Sequence, residues 1–408
     1  MKPIGPLPPA FARRRGALTI AGADAAALVA AHGSPLFVYD AGAVAAQVAR
    51  FRAAMPGAVG LHYAIKANPF APLLAVIAPL VDGLDVASGG ELGRAIAVTS
   101  PAAVSFAGPG KRDDELAAAI AAGVTLNVES IGEARRVLAV GERLGVTPRA
   151  AVRVNPDLEL RGSGMKMGGR ASPFGVDAEQ AAAVVRLLID GGAAWRGFHI
   201  FAGSQALDAA ALIETQAATL ALAARLADEV GAAPPLVNLG GGFGIPYFAG
   251  DVALDVERVG AALGEAIERR ADVLAQSALA LELGRWLVAE AGVYLTRVID
   301  RKVSRGETFL VVDGGLHHQL AASGNFGTVV RRNYPLAVAS RLGADGEEEV
   351  SVVGCLCTPL DRLGDRVLLP RAGEGELIAV FLAGAYGLTA SPSAFLGHPA
   401  PTEVVVGG

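Results

Sequence analysis

An alternation constrains this chain more than any other feature. Eight short β-rich runs, at residues 61–66, 83–88, 104–108, 125–129, 149–155, 196–202, 236–240 and 278–282, are separated by alanine- and leucine-rich stretches of helical or mixed character. Strands joined through helices lie parallel, because each crossover returns the chain to the same end of the sheet. Eight such units predict an α/β chain built on a (β/α)8 TIM-type barrel. After residue 282 the pattern changes: runs at 292–303, 308–312, 349–353, 377–383 and 404–406 read as strands with no helix alternating between them. We therefore expect a barrel over residues 34–283, and a β-sandwich or β-barrel domain formed by 284–408 together with the proline-rich residues 1–33.

Composition narrows the function classes. With 52% hydrophobic and 18% charged residues in 408, the chain can bury a sizeable core and is not a disordered polymer. Its net charge is -5 and it has no long basic stretch, so a nucleic-acid backbone would meet no complementary field, and small-molecule chemistry is expected instead. A mean hydropathy of +0.43 raises the question of a membrane. The uncharged stretch 377–396 is interrupted by Gly384, Gly387, Ser391, Pro392 and Ser393, and the cluster Arg13 to Arg15 precedes a segment broken by Asp24, so neither anchor nor signal peptide is expected. Cys355 and Cys357 flank a single residue. A strand would point both to one face at the far edge of disulfide reach, and two thiols alone cannot complete a zinc site. A reducing, cytoplasmic setting is the simplest reading.

In a barrel of this kind the reacting groups sit at the C-terminal ends of the strands. Here those ends carry Lys66 and Asn68, Asp85 and Ser88, Asn155, His199 and Ser204, Gly240 to Gly242, and Glu282 with Arg285. Lys66 stands in an otherwise apolar run, where burial would lower its pKa and suit it to a Schiff base; it could equally snorkel to solvent or pair with Asp85. The triple glycine allows backbone N–H groups to approach an anion, although a glycine turn is often only a turn. Neither it nor Gly162 to Met167 has the G-x-G-x-x-G spacing of a dinucleotide site. Glu282 and Arg285 could form a plain salt bridge, and His199 could be an ordinary strand histidine. Taken jointly, a lysine, an acidic group for a ring nitrogen and an anion turn are what a pyridoxal cofactor needs. His317 and His318 lack metal-ligand spacing, so no metal is expected.

With these residues in view, the sequence resembles, over nearly its whole length, the fold-type III (alanine-racemase-like) pyridoxal-phosphate decarboxylases, the group of diaminopimelate, ornithine and arginine decarboxylases. The resemblance rests on Tyr63-Ala64-Ile65-Lys66-Ala67-Asn68, Asp85-Val86-Ala87-Ser88-Gly89-Gly90-Glu91, His199 with Gly203-Ser204-Gln205, Gly240 to Gly244, Glu282-Leu283-Gly284-Arg285, Val312-Asp313-Gly314-Gly315, Cys355-Leu356-Cys357 with Asp361, and Gly384-Ala385-Tyr386. It implies that Lys66 holds pyridoxal 5'-phosphate through a Schiff base, His199 stacks on its ring and Glu282 pairs with the ring nitrogen. It also places Asp85 among the cofactor residues, and Ser204, Gly241, Gly242, Arg285 and Tyr386 around the phosphate. The substrate amine would displace Lys66, the α-carboxylate would leave as CO2, and Cys357, supplied by the partner subunit of a homodimer, would return a proton to Cα.

Two departures concern the substrate. Diamine-forming and diaminopimelate enzymes place an acidic residue directly after the catalytic cysteine, where this chain has Thr358, which offers a distal ammonium no charge partner. The diaminopimelate enzymes also use an Arg-Pro-x-x-Tyr segment for a distal carboxylate. Arg331-Arg332-Asn333-Tyr334-Pro335 is a partial equivalent, which makes Arg332 and Tyr334 substrate-binding candidates beside Thr358. The segments 316–326 and 391–399 resemble a narrower branch, which includes exosortase-associated decarboxylases and one acting on a glutamyl group borne by an acyl-carrier protein. The resemblance thus implies an L-amino acid or a carrier-linked aminoacyl substrate. A diaminopimelate decarboxylase, an amino-acid racemase and a catalytically dead regulatory homologue are the alternatives.

Overall fold

The computed structural model describes residues 1–12, 14–157, 165–166, 171–324 and 331–408. Strands Val59–Ala64, Gly83–Val86, Val104–Phe106, Thr125–Val128, Arg149–Asn155, Ala194–Ile200, Leu236–Asn238 and Ala278–Leu283 pair in parallel in chain order, and the last pairs with the first, closing an eight-stranded barrel. Five strands stop two residues before the expected end, at 64, 86, 106, 200 and 238. The polar residues read as strand ends have left the ladder for the loops above it. A short parallel pairing of Val176–Asp177 with Arg149–Asn155 was not foreseen.

The helices carry their own start and stop signals. Ile131–Leu144 opens on Ser130, whose hydroxyl accepts the Glu133 N–H, and ends at Gly145 with φ 64. Ala209–Val230 opens on Asp208, which accepts the Ala210 N–H, and ends at Gly231 with φ 78. In both, the closing glycine takes up a left-handed conformation that costs other residues more.

The chain divides into two compact units. The barrel unit comprises Val48–Ile245 and Ala253–Gly284; the second comprises Met1–Gln47, Pro246–Val252 and Arg285–Gly408. Residues 34–47, expected with the barrel, thus group with the second unit. Strand Leu36–Asp40 pairs antiparallel with Gly292–Ser304 and parallel with Thr402–Val406. An apolar run followed by the helix Ala41–Ala54 looks in sequence like one more strand–helix unit, and local pattern does not say which sheet it joins. The second unit's sheet also holds Leu336–Val338 and Arg362–Leu369, neither of which was foreseen. Its core includes Phe37, Tyr39, Tyr294 and Phe381, with the Phe37 and Tyr294 rings 4.7 Å apart.

Candidate active site

Lys66 does not lie in a buried strand as its surroundings suggested. The first strand ends at Ala64, and a single 3-10 turn, Ile65–Ala67, buries Ile65 and Ala67 and lifts the lysine out with its side chain 47% exposed. Two contacts fix that turn. The Tyr63 hydroxyl donates to the Asn68 carbonyl at 3.0 Å. At Gly284 an added Cβ would come within 2.9 Å of the Ala67 Cβ, so glycine lets the end of the eighth strand approach the turn.

From the eighth strand, Glu282 reaches both of the groups that sequence had singled out. Its Oε1 is 3.3 Å from the Lys66 ammonium and its Oε2 is 3.0 Å from His199 Nε2. Burial of this carboxyl opposes its ionisation, but Lys66, then His199, then Arg153 outweigh burial and hold it well below the ordinary carboxylate range. A carboxyl group whose charged form is favoured therefore stands between an amine and an imidazole. Asp85, on the second strand, is also buried, with one oxygen 3.4 Å from His62 Nδ1.

The glycine turn is built for close approach. The Asn238 side chain accepts the Gly240 N–H at 2.9 Å, and the Gly240 carbonyl accepts the Glu282 N–H at 2.7 Å, laying the turn on the eighth strand. At Gly241 an added Cβ would lie 1.8 Å from the Glu282 carbonyl oxygen, and Gly240 and Gly242 have φ of 70 and 87. Ala206 donates to the Gly242 carbonyl and Gly244 to the Ala206 carbonyl, each at 2.9 Å, so the Gly203–Ser204 segment is tied to this turn. Gln205, at φ 60, completes the tie through the Ile245 carbonyl at 2.6 Å.

These residues fit a flat, phosphorylated aldehyde with a basic ring nitrogen. Ser204 Oγ, Asp85 Oδ2 and His199 Nδ1 are buried without a hydrogen-bond partner among the described residues, and such orphaned groups call for a ligand. Neither Gly241 nor Gly242 donates its N–H to a described backbone carbonyl. Two backbone donors and a hydroxyl beside a glycine turn are the kinds of group that an anion requires. Two other strand-end residues have structural duties: Ser88 caps the helix Gly89–Ile96, and Asn155 donates to Asp177 at 2.9 Å. Of the Gly162 to Met167 stretch only Met165–Lys166 is described, pairing antiparallel with Gly203–Ser204, and Asn325 and Phe326 of the 316–326 segment lie outside the described residues.

In the second unit, Arg285 donates to the Tyr247 hydroxyl at 2.8 Å and lies 4.6 Å from the centre of the Tyr386 ring. No carboxylate pairs with it among the described residues. Tyr334 is buried, 4.8 Å from Tyr247 and 5.7 Å from Phe248 between ring centres, and Arg332 lies 3.8 Å over Phe248. Arg285, Tyr386, Arg332 and Tyr334 are thus linked through Tyr247 and Phe248. Sequence reasoning missed both aromatics, although they follow the glycine turn directly. Cys355 and Cys357 sit in an irregular loop after strand Glu348–Val353 rather than in a strand, both as free thiols, with Cys357 exposed. Asp361 organises that loop by accepting the Leu316 and Leu356 N–H groups at 2.7 and 2.9 Å. The Thr358 hydroxyl accepts the Leu360 N–H at 3.3 Å.

Comparison with known proteins agrees with this geometry. The family described as pyridoxal-dependent decarboxylase, pyridoxal binding domain, matches residues 41–289. An L-glutamyl-[BtrI acyl-carrier protein] decarboxylase from Niallia circulans is 36% identical, over 94% of this chain and 91% of its own. A diaminopimelate decarboxylase from Archaeoglobus fulgidus is 33% identical, over 98% and 94%. Among solved structures, the diaminopimelate decarboxylase from M. jannaschii superposes with a TM-score of 0.87 at 27% identity, covering 96% of this chain and 91% of that one. None of the described helices is long and apolar enough to cross a membrane.

Proposed function

We propose, from the premise that this chain belongs to the pyridoxal-dependent decarboxylases, that it removes the α-carboxylate of an amino acid whose distal end is neutral or tethered to a carrier protein, with Lys66 as the covalent anchor of the cofactor. The reaction class, a carboxy-lyase, and the cofactor, pyridoxal 5'-phosphate, come with the family. The single observation that carries the site assignment is the buried Glu282 carboxyl group bridging Lys66 and His199.

When bound, pyridoxal phosphate supplies the electron sink for the pair that departing CO2 leaves at Cα. The chain's residues do the rest. Glu282, kept as a carboxylate, is suited to hold a proton on the ring nitrogen. His199 presents its flat ring, oriented by its bond to Glu282. Ser204, Gly241 and Gly242 would donate to the phosphate, and Arg285 and Tyr386 would carry the same duty, since the Arg285 guanidinium has no carboxylate partner among the described residues. Asp85 keeps an unused oxygen for the cofactor's polar edge. Cys357, as an exposed thiol, serves as proton donor to Cα, in a homodimer where each subunit lends it to the other.

Thr358 supports the substrate reading, because it leaves a distal ammonium without a counter-charge. The carrier-linked glutamyl substrate named for the Niallia circulans relative has no such ammonium at its distal end. Diaminopimelate is the second reading, favoured by Arg332 and Tyr334, which could meet a distal carboxylate. A CO2-release screen over diaminopimelate, lysine, ornithine, arginine and a glutamyl-carrier thioester separates the two. We expect turnover of the thioester; turnover of diaminopimelate at ordinary enzymatic rates would overturn the inference from Thr358, and racemisation without CO2 would overturn the decarboxylase assignment. A cytoplasmic setting remains our reading of the two free thiols.

A further inference from the structure

By sequence spacing, His317 and His318 form no metal motif, and the two cysteines alone cannot complete a zinc site. The fold changes that count. His317 follows the Gly314-Gly315 turn, Cys355 lies in the loop after strand Glu348–Val353, and His398 lies just ahead of strand Thr402–Val406. One ligand atom from each falls within 4.8 Å of the other two. The Cys355 sulfur is 3.8 Å from His398 Nδ1, and the His317 and His398 rings are 5.3 Å apart.

Two independent observations set this cluster apart from a chance meeting. His317 is fully buried, yet neither of its ring nitrogens has a hydrogen-bond partner among the described residues. Buried imidazoles are ordinarily satisfied, and one left bare calls for a ligand. In addition, each member of the cluster stands next to a residue that is pinned. Leu316 and Leu356 both donate to Asp361. His318 Nε2 lies 3.1 Å from the Pro399 carbonyl, and its Nδ1 lies 3.0 Å from the Tyr294 hydroxyl. A single tautomer, protonated at Nε2, satisfies both contacts. His318 is therefore a staple that holds the segment bearing His398, and His317 is the imidazole left over.

We propose that His317, Cys355 and His398 form a binding site for a divalent cation of the zinc class. Two imidazoles and a thiolate suit zinc and exclude magnesium and calcium, which require oxygen ligands. Three protein ligands leave the fourth tetrahedral position to water or a small exogenous ligand. On binding, the Cys355 S–H bond breaks, its proton goes to solvent and a sulfur–metal bond forms. Cys355 and His398 are only half-buried, which gives the ion a way in. Cys357 lies two residues along, so occupancy restrains the loop that carries the proposed proton donor; the metal site itself stands whether or not Cys357 has that role.

The test is cobalt titration of the chelator-treated holoenzyme, followed in the visible region beyond the cofactor's yellow band, with thiolate charge transfer read as a difference spectrum. We expect one Co2+ per chain, tetrahedral visible bands, a thiolate–cobalt band, and displacement of all of them by Zn2+. Cys355→Ser should lose the thiolate band while Cys357→Ser keeps it, and His398→Gln, at a half-buried position, should weaken binding at least tenfold. His317→Ala should do the same, and circular dichroism reports whether that variant folds. A thiolate band that survives in Cys355→Ser, or binding unchanged in both Cys355→Ser and His398→Gln, would overturn the proposal. So would saturation with no thiolate band in the unmodified protein.

Discussion

The two lysines that follow the first and third barrel strands are held in different ways. The Lys111 ammonium is buried and saturated: it donates to Glu133 at 2.6 Å and to the carbonyls of Gly108 and Asn127 at 2.6 and 2.9 Å. Lys66 is half out in solvent and shares a carboxylate with His199. Replacing Glu282 by Gln keeps its shape but removes its charge, and we expect kcat to fall on the order of a hundredfold with cofactor still bound. Unchanged kcat in Glu282→Gln would refute the role given to the carboxylate. At His62, burial alone would push the imidazole's pKa down, but Asp85, with Glu282 and Asp82 behind it, raises it. A raised folded-state pKa contributes stability that is complete below the unfolded value, about 6.5, and lost as pH climbs through the folded value. The thermal midpoint of the unmodified protein should therefore exceed that of Asp85→Asn most at pH 6, with the gap narrowing toward alkaline pH. Parallel curves would show that the pair contributes nothing. Lys66, His199 and Glu282 were legible because polar residues at the ends of apolar strands stand out in sequence. The exposure of Lys66 was not, because it depends on a three-residue turn that no periodicity announces. Nor was Tyr247, whose value lies in touching Arg285.

At the scale of elements, the glycine turn carries a sharper demand than its composition shows. Gly241→Ala would drive a methyl group into the Glu282 carbonyl. We expect a loss of about 1–3 kcal/mol in stability, together with weaker retention of pyridoxal phosphate on dialysis. An alanine variant with full stability and full cofactor content would contradict the close approach. Ser130→Ala removes the cap of the helix Ile131–Leu144 and should cost about 1 kcal/mol in chemical denaturation. The eight barrel strands were legible because each carries its own apolar run and is followed by helical alternation. Five of their C-terminal ends were overrun by two residues because a polar residue leaving a strand looks the same in sequence as one inside it. Strand Leu36–Asp40 was not foreseen and its residues were counted with the barrel, since pairing with Gly292–Ser304 across some 250 positions leaves no local mark.

For the whole molecule, the fold class followed from counting strand–helix units, whereas the metal cluster could not have been foreseen, because His317, Cys355 and His398 meet only through tertiary contact. The proposed shared-site dimer yields a quantitative expectation. Lys66→Ala and Cys357→Ser homodimers should each be nearly inactive. If they are mixed and allowed to exchange subunits, half of the dimers would be mixed and each would hold one intact site, restoring about a quarter of normal activity. Failure to recover activity in a sample shown to contain mixed dimers would place both residues in sites built from one chain.

The most direct measurement of the central claim is borohydride reduction of the holoenzyme followed by peptide mass mapping. The chain has five lysines, Lys2, Lys66, Lys111, Lys166 and Lys302. The account predicts a phosphopyridoxyl group on the peptide bearing Lys66 and on no other. A label on any of the other four, with Lys66 unmodified, would contradict it.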